Sequence, residues 1–254
     1  MKKTFAGKHS YITVILFGLL CTFMTALGSA VPQIIGLEGN QQLIVTTVFL
    51  SISAVLGILI MARSRYRIKD YGFQRSTKEN HHNVLWYAPL IVMEIIPIAA
   101  YGFLSEITVS QYVIIAAFTI AVGFNEEIYF RGLSLKTMEL QGSKRAIIWT
   151  AVIFGLLHSI NFLNGKSPLY VILQILFAFL VGFVLAEIVS ITKSLWFVII
   201  WHVAHDFIAS TTSDAIDRKG LIILGAQVGI LMVYAILIWR KSLKEELFPV
   251  GVSE

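Results

Sequence analysis

The chain has 254 residues, 57% of them apolar and only 14% charged, where soluble domains carry about 25% charged residues. That balance leaves too little polar surface for a dissolved globule, so the useful measure of organisation is the number of membrane-spanning helices. The formal charge of +5 comes from Lys and Arg clustered between apolar segments. This is the pattern of cytoplasmic loops rather than of a nucleic-acid-binding face, and no nucleic-acid partner is expected. Cys21 is the single cysteine, so an internal disulfide is excluded, and it reads as a small buried hydrophobe.

Eight stretches have the roughly 20 mainly apolar residues that a hydrocarbon core about 30 Å thick requires. In chain order they fall at about residues 11–32, 42–62, 84–104, 111–131, 146–163, 168–190, 195–212 and 221–239. The first also has small residues around Ala26 to Ala30, as in a secretory cleavage region, but its length suits a span. Lys2, Lys3 and Lys8 precede the first span, and Arg63, Arg65, Arg67, Lys69, Arg75 and Lys78 follow the second. Lys136, Lys144 and Arg145 follow the fourth, Lys193 the sixth, and Arg240, Lys241 and Lys244 the eighth. The alternate loops are poorer in base: one holds Glu106, one Lys166, and one mixes Asp214, Asp217, Arg218 and Lys219. The expected fold is therefore all-α, a polytopic transmembrane helix bundle of about eight spans with both termini cytoplasmic. Residues 1–254 read as a single transmembrane domain. The polar segment from Arg63 to Asn83 reads as a solvated cytoplasmic connection with some affinity for anionic lipid.

An ionisable side chain in a spanning helix costs about 2.5 to 3.5 kcal/mol on insertion scales, which makes each one a functional candidate. The fourth span contains Asn125-Glu126-Glu127-Ile128-Tyr129-Phe130-Arg131, the fifth Phe154-Gly155-Leu156-Leu157-His158, and the seventh His202-Val203-Ala204-His205-Asp206. Glu127 and Arg131 are four residues apart, with the acid N-terminal to the base, the favourable order for an ion pair on one helix face. Glu126 points about 100° away, without that partner, and suits a general base. A structural cluster in which both acids neutralise Arg131 is the plain alternative. His202 and Asp206 share a face, so the carboxyl can fix a ring tautomer or bind a common substrate atom. His205, three residues from His202, can also approach that face. At about 1.5 Å per residue, Glu126 falls about 7 Å, His158 about 18 Å and His202 about 11 Å from the inner boundary, which predicts one cavity opening inward.

These segments resemble the three motifs of the type II CAAX prenyl endopeptidase and bacteriocin-processing family of intramembrane proteases, often abbreviated CPBP or Abi. Glu126-Glu127 with Arg131 resembles its Glu-Glu-x-x-x-Arg motif, Phe154 with His158 its Phe-x-x-x-His motif, and His202 with Asp206 its third, His followed four residues later by Asn or Asp. The resemblance covers a core of about 84–212. It implies an endopeptidase in which Glu126 activates a water with help from His158, while His202 and Asp206 stabilise the oxyanion and Glu127 with Arg131 holds the cluster. Asp206 departs from the Asn of the eukaryotic prenyl-processing members. An ionised carboxylate would repel an oxyanion, so Asp206 must be protonated, act through His202, or help bind a cation. The family leaves a metal open. Glu126, His158, His202 and Asp206 have the ligand types and number that zinc accepts, yet if all four bound it only Glu127 or His205 would remain as base.

Expected partners are the lipid bilayer and a membrane-associated peptide substrate, in a bacterial plasma membrane. The other readings are a bacteriocin-immunity protein that binds without cleaving, and a proton-coupled transporter, which would call for an internal repeat that is absent here. Glu94, Gln174 and Glu187 read as bundle-interior hydrogen-bonding groups. Trp149, Trp196 and Trp201 read as interface anchors. Ser134 and Lys136, two residues apart in what reads as a charged loop, do not make a credible Ser-Lys nucleophile.

Overall fold

The computed structural model describes residues 5–75, 87–163, 165–213 and 215–247, with side chains from 7 to 240. Lys2, Lys3, Lys78, Asn83, Asp214 and the start of the predicted 84–104 span lie outside the described residues, as do the side chains of Lys241 and Lys244. Every regular element among the described residues is helical. Eight helices correspond to the eight predicted spans: α1 (Ser10–Ile34), α2 (Gly39–Ala62), α3 (Ala88–Tyr101), α4 (Val109–Glu127), α5 (Ser143–Leu157), α6 (Pro168–Thr192), α7 (Trp196–Thr211) and α8 (Arg218–Leu247). Six of the helical stretches are long and apolar enough to cross a membrane, while α3 has 14 residues and α7 has 16. At about 1.5 Å per residue, α7 covers only about 24 Å, less than the hydrocarbon thickness.

The helices form a closed circuit in which α1 packs on α2, α2 on α4, α4 on α7, α7 on α3, α3 on α8, α8 on α6, α6 on α5, and α5 on α1. Glycines set the closest approaches. A Cβ at Gly123 would stand 2.7 Å from Cγ2 of Val203 and 3.3 Å from its backbone N, so the absence of a side chain lets α4 lie against α7. At Gly155 it would meet the Ile175 carbonyl and Phe179 Cβ, both at 2.9 Å, which holds α5 against α6 in the same way. Small residues at such crossings substitute for a hydrophobic driving force that lipid does not supply.

Two elements differ from expectation. The fourth span does not stop near Arg131. It passes through a π-helical stretch, Ile128–Ser134, into further turns ending at Gln141, so the whole helical run covers Val109–Gln141. Hydropathy does not register this extension because it ends in polar turns. Ser134 and Lys136 consequently lie on helix rather than in a loop: Ser134 is fully buried and Lys136 bonds Glu139 at 2.8 Å. The segment after α2 is also less solvated than its charge suggests. Its short helical turn, Ile68–Tyr71, buries Tyr71 and ends at Gly72 with φ of 101°, a left-handed conformation that favours glycine. Gly72 then accepts the Leu195 N–H at 2.9 Å, and the Gln74 carbonyl accepts the Ser194 hydroxyl at 2.8 Å. The segment is thereby docked on the α6–α7 turn.

Candidate active site

The centre of the site is Glu127, whose side chain is fully buried. Its Oε1 accepts Nη1 of Arg131 at 2.8 Å, one turn later, and Nδ1 of His202 at 2.7 Å from α7. The π-helical stretch begins at the next residue and carries Arg131. Such wide turns concentrate at functional sites because they re-aim side chains out of the regular helical register. Arg131 is itself buried, with its guanidinium carbon 4.2 Å from the centre of the Phe154 ring. That ring also stands edge-on to Phe130 at 4.9 Å, to His158 at 4.9 Å and to His202 at 6.3 Å. Phe154 therefore touches groups from all three motifs.

His202 presents its other nitrogen to two carboxylates: Nε2 is 3.7 Å from Oε2 of Glu126 and 3.6 Å from Oδ2 of Asp206. A carboxylate at Nδ1 fixes which nitrogen faces the cavity. In His158, Nδ1 lies 2.8 Å from the Phe154 carbonyl. A carbonyl can only accept, so Nδ1 carries the hydrogen and Nε2 is left for chemistry. His158 stands where α5 gives way to the tighter turns of His158–Phe162, at the end of the span.

Glu126, His158, His202 and Asp206 line one cavity of about 640 Å³, within the range of about 300–1,000 Å³ typical of ligand pockets. Glu126 and Asp206 keep partial exposure there, 18% and 27% of their side chains, where Glu127 has none. The two adjacent glutamates therefore occupy different environments, one facing space and one locked in an ion-pair network.

Several expectations need correction. The cavity does not open toward the basic loops. Its outer lining comes from Asn161 and Lys166 after α5, Ser213 after α7, and Ile216 and Gly220 before and within the start of α8, the opposite end of the bundle. The depth reading failed because the helical run through α4 ends at Gln141, which puts Glu126 about 22 Å rather than about 7 Å from that end. Trp201 is not an interface anchor. It is 4% exposed, and its Nε1 donates to the Leu90 carbonyl at 3.2 Å. Glu187 is buried without a hydrogen-bond partner for either carboxyl oxygen among the described residues. Gln174 does bond, accepting the Asn161 amide at 2.7 Å.

His205 lies apart from the His202 cluster. Its Nδ1 is 2.9 Å from Oε1 of Glu94 on α3, and its ring is stacked between Trp201 at 5.1 Å and Phe177 at 5.5 Å. This second glutamate–histidine pair also lines the cavity. Sequence reasoning missed it because its partners are 111 residues apart. The only signal was that each is an ionisable group in an apolar span.

The residues considered for zinc do not fit one ion. Among the described residues, no group of three or more His, Cys, Asp or Glu side chains is arranged to hold a metal. His158 and His202 both bond through Nδ1, which leaves Nε2 of each toward the cavity.

A family model described as type II CAAX prenyl endopeptidase Rce1-like matches residues 108–208, which run from the cap of α4 nearly to the end of α7. No curated protein matches the chain.

Proposed function

Because the chain belongs, through residues 108–208, to the Rce1-like family of type II CAAX prenyl endopeptidases and is a membrane protein of that protease type, we propose a division of labour among its residues. Glu126 is the general base. It takes a proton from a water whose oxygen bonds to the carbonyl carbon of the scissile peptide, moving the carbonyl electron pair onto oxygen. His158 helps hold that water through Nε2. His202, with Glu127 accepting at Nδ1, donates from Nε2 of a doubly protonated ring to the oxyanion. Asp206 acts through His202, with Oδ2 3.6 Å from Nε2, and the positive charge of the doubly protonated ring offsets that of the carboxylate. Collapse of the tetrahedral intermediate breaks the C–N bond, and the proton held by Glu126 passes to the leaving amine. Glu127 and Arg131 are positioning residues.

The observation that carries this reading is the convergence of Glu126, His158, His202 and Asp206 on one cavity. The arrangement supports a glutamate-dependent mechanism over a zinc one, because the four side chains are not disposed as a ligand set. The substrate is a membrane-associated peptide or protein, and the setting is a bacterial plasma membrane. The test is peptide-bond hydrolysis by purified protein in liposomes. Glu126→Gln or His158→Ala abolishes cleavage while leaving insertion intact. Full cleavage by either variant would overturn the assignment.

A further inference from the structure

We infer that the active-site cavity is reached from the extracytoplasmic face, so that its substrates are membrane-anchored peptide segments whose scissile bond lies on that side. The access route stands on geometry and charge alone, whereas the substrate class rests on the endopeptidase reading above.

The charge distribution orients the bundle. Of twenty Lys and Arg residues, Arg131 is buried in its ion pair, and Lys166, Arg218 and Lys219 stand in the loops and helix start at the end where α3, α5 and α7 finish. The other sixteen lie in the segments before α1, between α2 and α3, in the last turns of the α4 run and the start of α5, after α6, and from Arg240 onward. An excess of this size in short loops marks the cytoplasmic side.

The cavity occupies the opposite half. It runs from mid-bundle, at Cys21 on α1 and Glu126 on α4, along the C-terminal parts of α3, α5 and α7 and the N-terminal parts of α6 and α8, reaching Lys166, Ser213 and Gly220 at the loop level. Toward the basic end the interior is closed by packed side chains. Leu195, Val198 and Ile199 at the start of α7 are at most 1% exposed, and Leu135, Met138 and Ala146 on the facing helices at most 4%. The docked segment at Gly72 covers Leu195 from that side. Water and substrate, which the buried carboxylates require, therefore have a polar path only through the end poor in basic residues.

The test uses the full chain in a Cys21→Ser background, reconstituted in right-side-out and inverted membrane vesicles, with a membrane-impermeant cationic methanethiosulfonate as the probe. Ala209→Cys and Ser213→Cys sample the cavity wall and mouth, and Arg65→Cys samples the basic end. Ala209→Cys and Ser213→Cys react in right-side-out vesicles and are protected in inverted ones, while Arg65→Cys shows the reverse. Reaction of the cavity cysteines from the same side as Arg65→Cys overturns the proposal, as does lack of reaction at Ala209→Cys from both sides. Labelling does not depend on turnover and is repeated with Glu126→Gln. If labelling follows the expected pattern but a transmembrane test peptide with its cleavable stretch outside is not cut, the endopeptidase reading fails and the route of access stands.

Discussion

Nδ1 of His202 and Oε1 of Glu127 lie 2.7 Å apart between two helices, and the same oxygen receives the Arg131 guanidinium at 2.8 Å. One carboxylate oxygen thus joins the first and third motifs and sets the orientation of the imidazole. Removing the charge of Glu127 leaves Arg131 buried and unbalanced, and breaking a buried pair in this way costs about 3–5 kcal/mol. Glu127→Gln is expected to lower the thermal unfolding temperature markedly in detergent as well as to abolish cleavage. A variant with unchanged thermal stability would show that the network does not hold the helices together.

Glu126 behaves differently although it is the adjacent residue. Among the described residues it makes no short hydrogen bond, with the His202 ring 3.7 Å away and 18% of its side chain exposed. Glu126→Gln is therefore expected to keep wild-type stability and lose at least about 100-fold in kcat, the scale of general-base assistance. Comparing unfolding temperature and kcat for this variant and Glu127→Gln separates chemistry from scaffold. A fall in stability equal to that of Glu127→Gln would remove the distinction.

Much of this division was legible in the sequence. The spacing of Glu127 and Arg131 already predicts their pairing, because residues four apart on a helix face each other whatever surrounds them. The eight apolar stretches likewise map onto eight helices. What local pattern does not encode is long-range placement. The Glu94–His205 contact joins α3 and α7, and no spacing rule connects helices so far apart in sequence. Nor does hydropathy distinguish a π-helical stretch from an α-helix, since it reads composition and not the width of the turn. The polar turns that follow it also escape hydropathy, and they put the end of the α4 run ten residues later, at Gln141, and change the inferred depth of Glu126.

Phe154 is a third point of control. Its ring supports the Arg131 guanidinium at 4.2 Å and meets the ring of His158 edge-on at 4.9 Å. A desolvated cation–π contact contributes about 2 kcal/mol. Phe154→Leu keeps the apolar character and removes the aromatic face, and is expected to reduce kcat more than KM because it loosens His158 and Arg131. Restoration by Phe154→Tyr, to the extent that the hydroxyl is tolerated, distinguishes loss of the ring face from loss of volume. Equal activity of the Leu variant and wild type would assign Phe154 to packing alone.

The Glu94–His205 pair tests whether the cavity has a second polar anchor. Both residues line it, yet His205 is held between the Trp201 and Phe177 rings and engages Glu94 through Nδ1 at 2.9 Å. A ring fixed on two faces and at one nitrogen cannot swing toward the His202 cluster without giving up both stacking contacts, each worth about 0.5–1.5 kcal/mol. Its effect on cleavage should therefore appear in substrate binding. Glu94→Gln can still accept a hydrogen bond from Nδ1 and keeps the shape of the site. It is expected to raise KM several-fold with kcat nearly unchanged, measured on a peptide in liposomes. Glu126→Gln in the same assay gives the opposite split. A collapse of kcat in Glu94→Gln comparable to that in Glu126→Gln would place the second pair in the chemistry, and the division between a reacting cluster on α4, α5 and α7 and a binding pair on α3 and α7 would not survive.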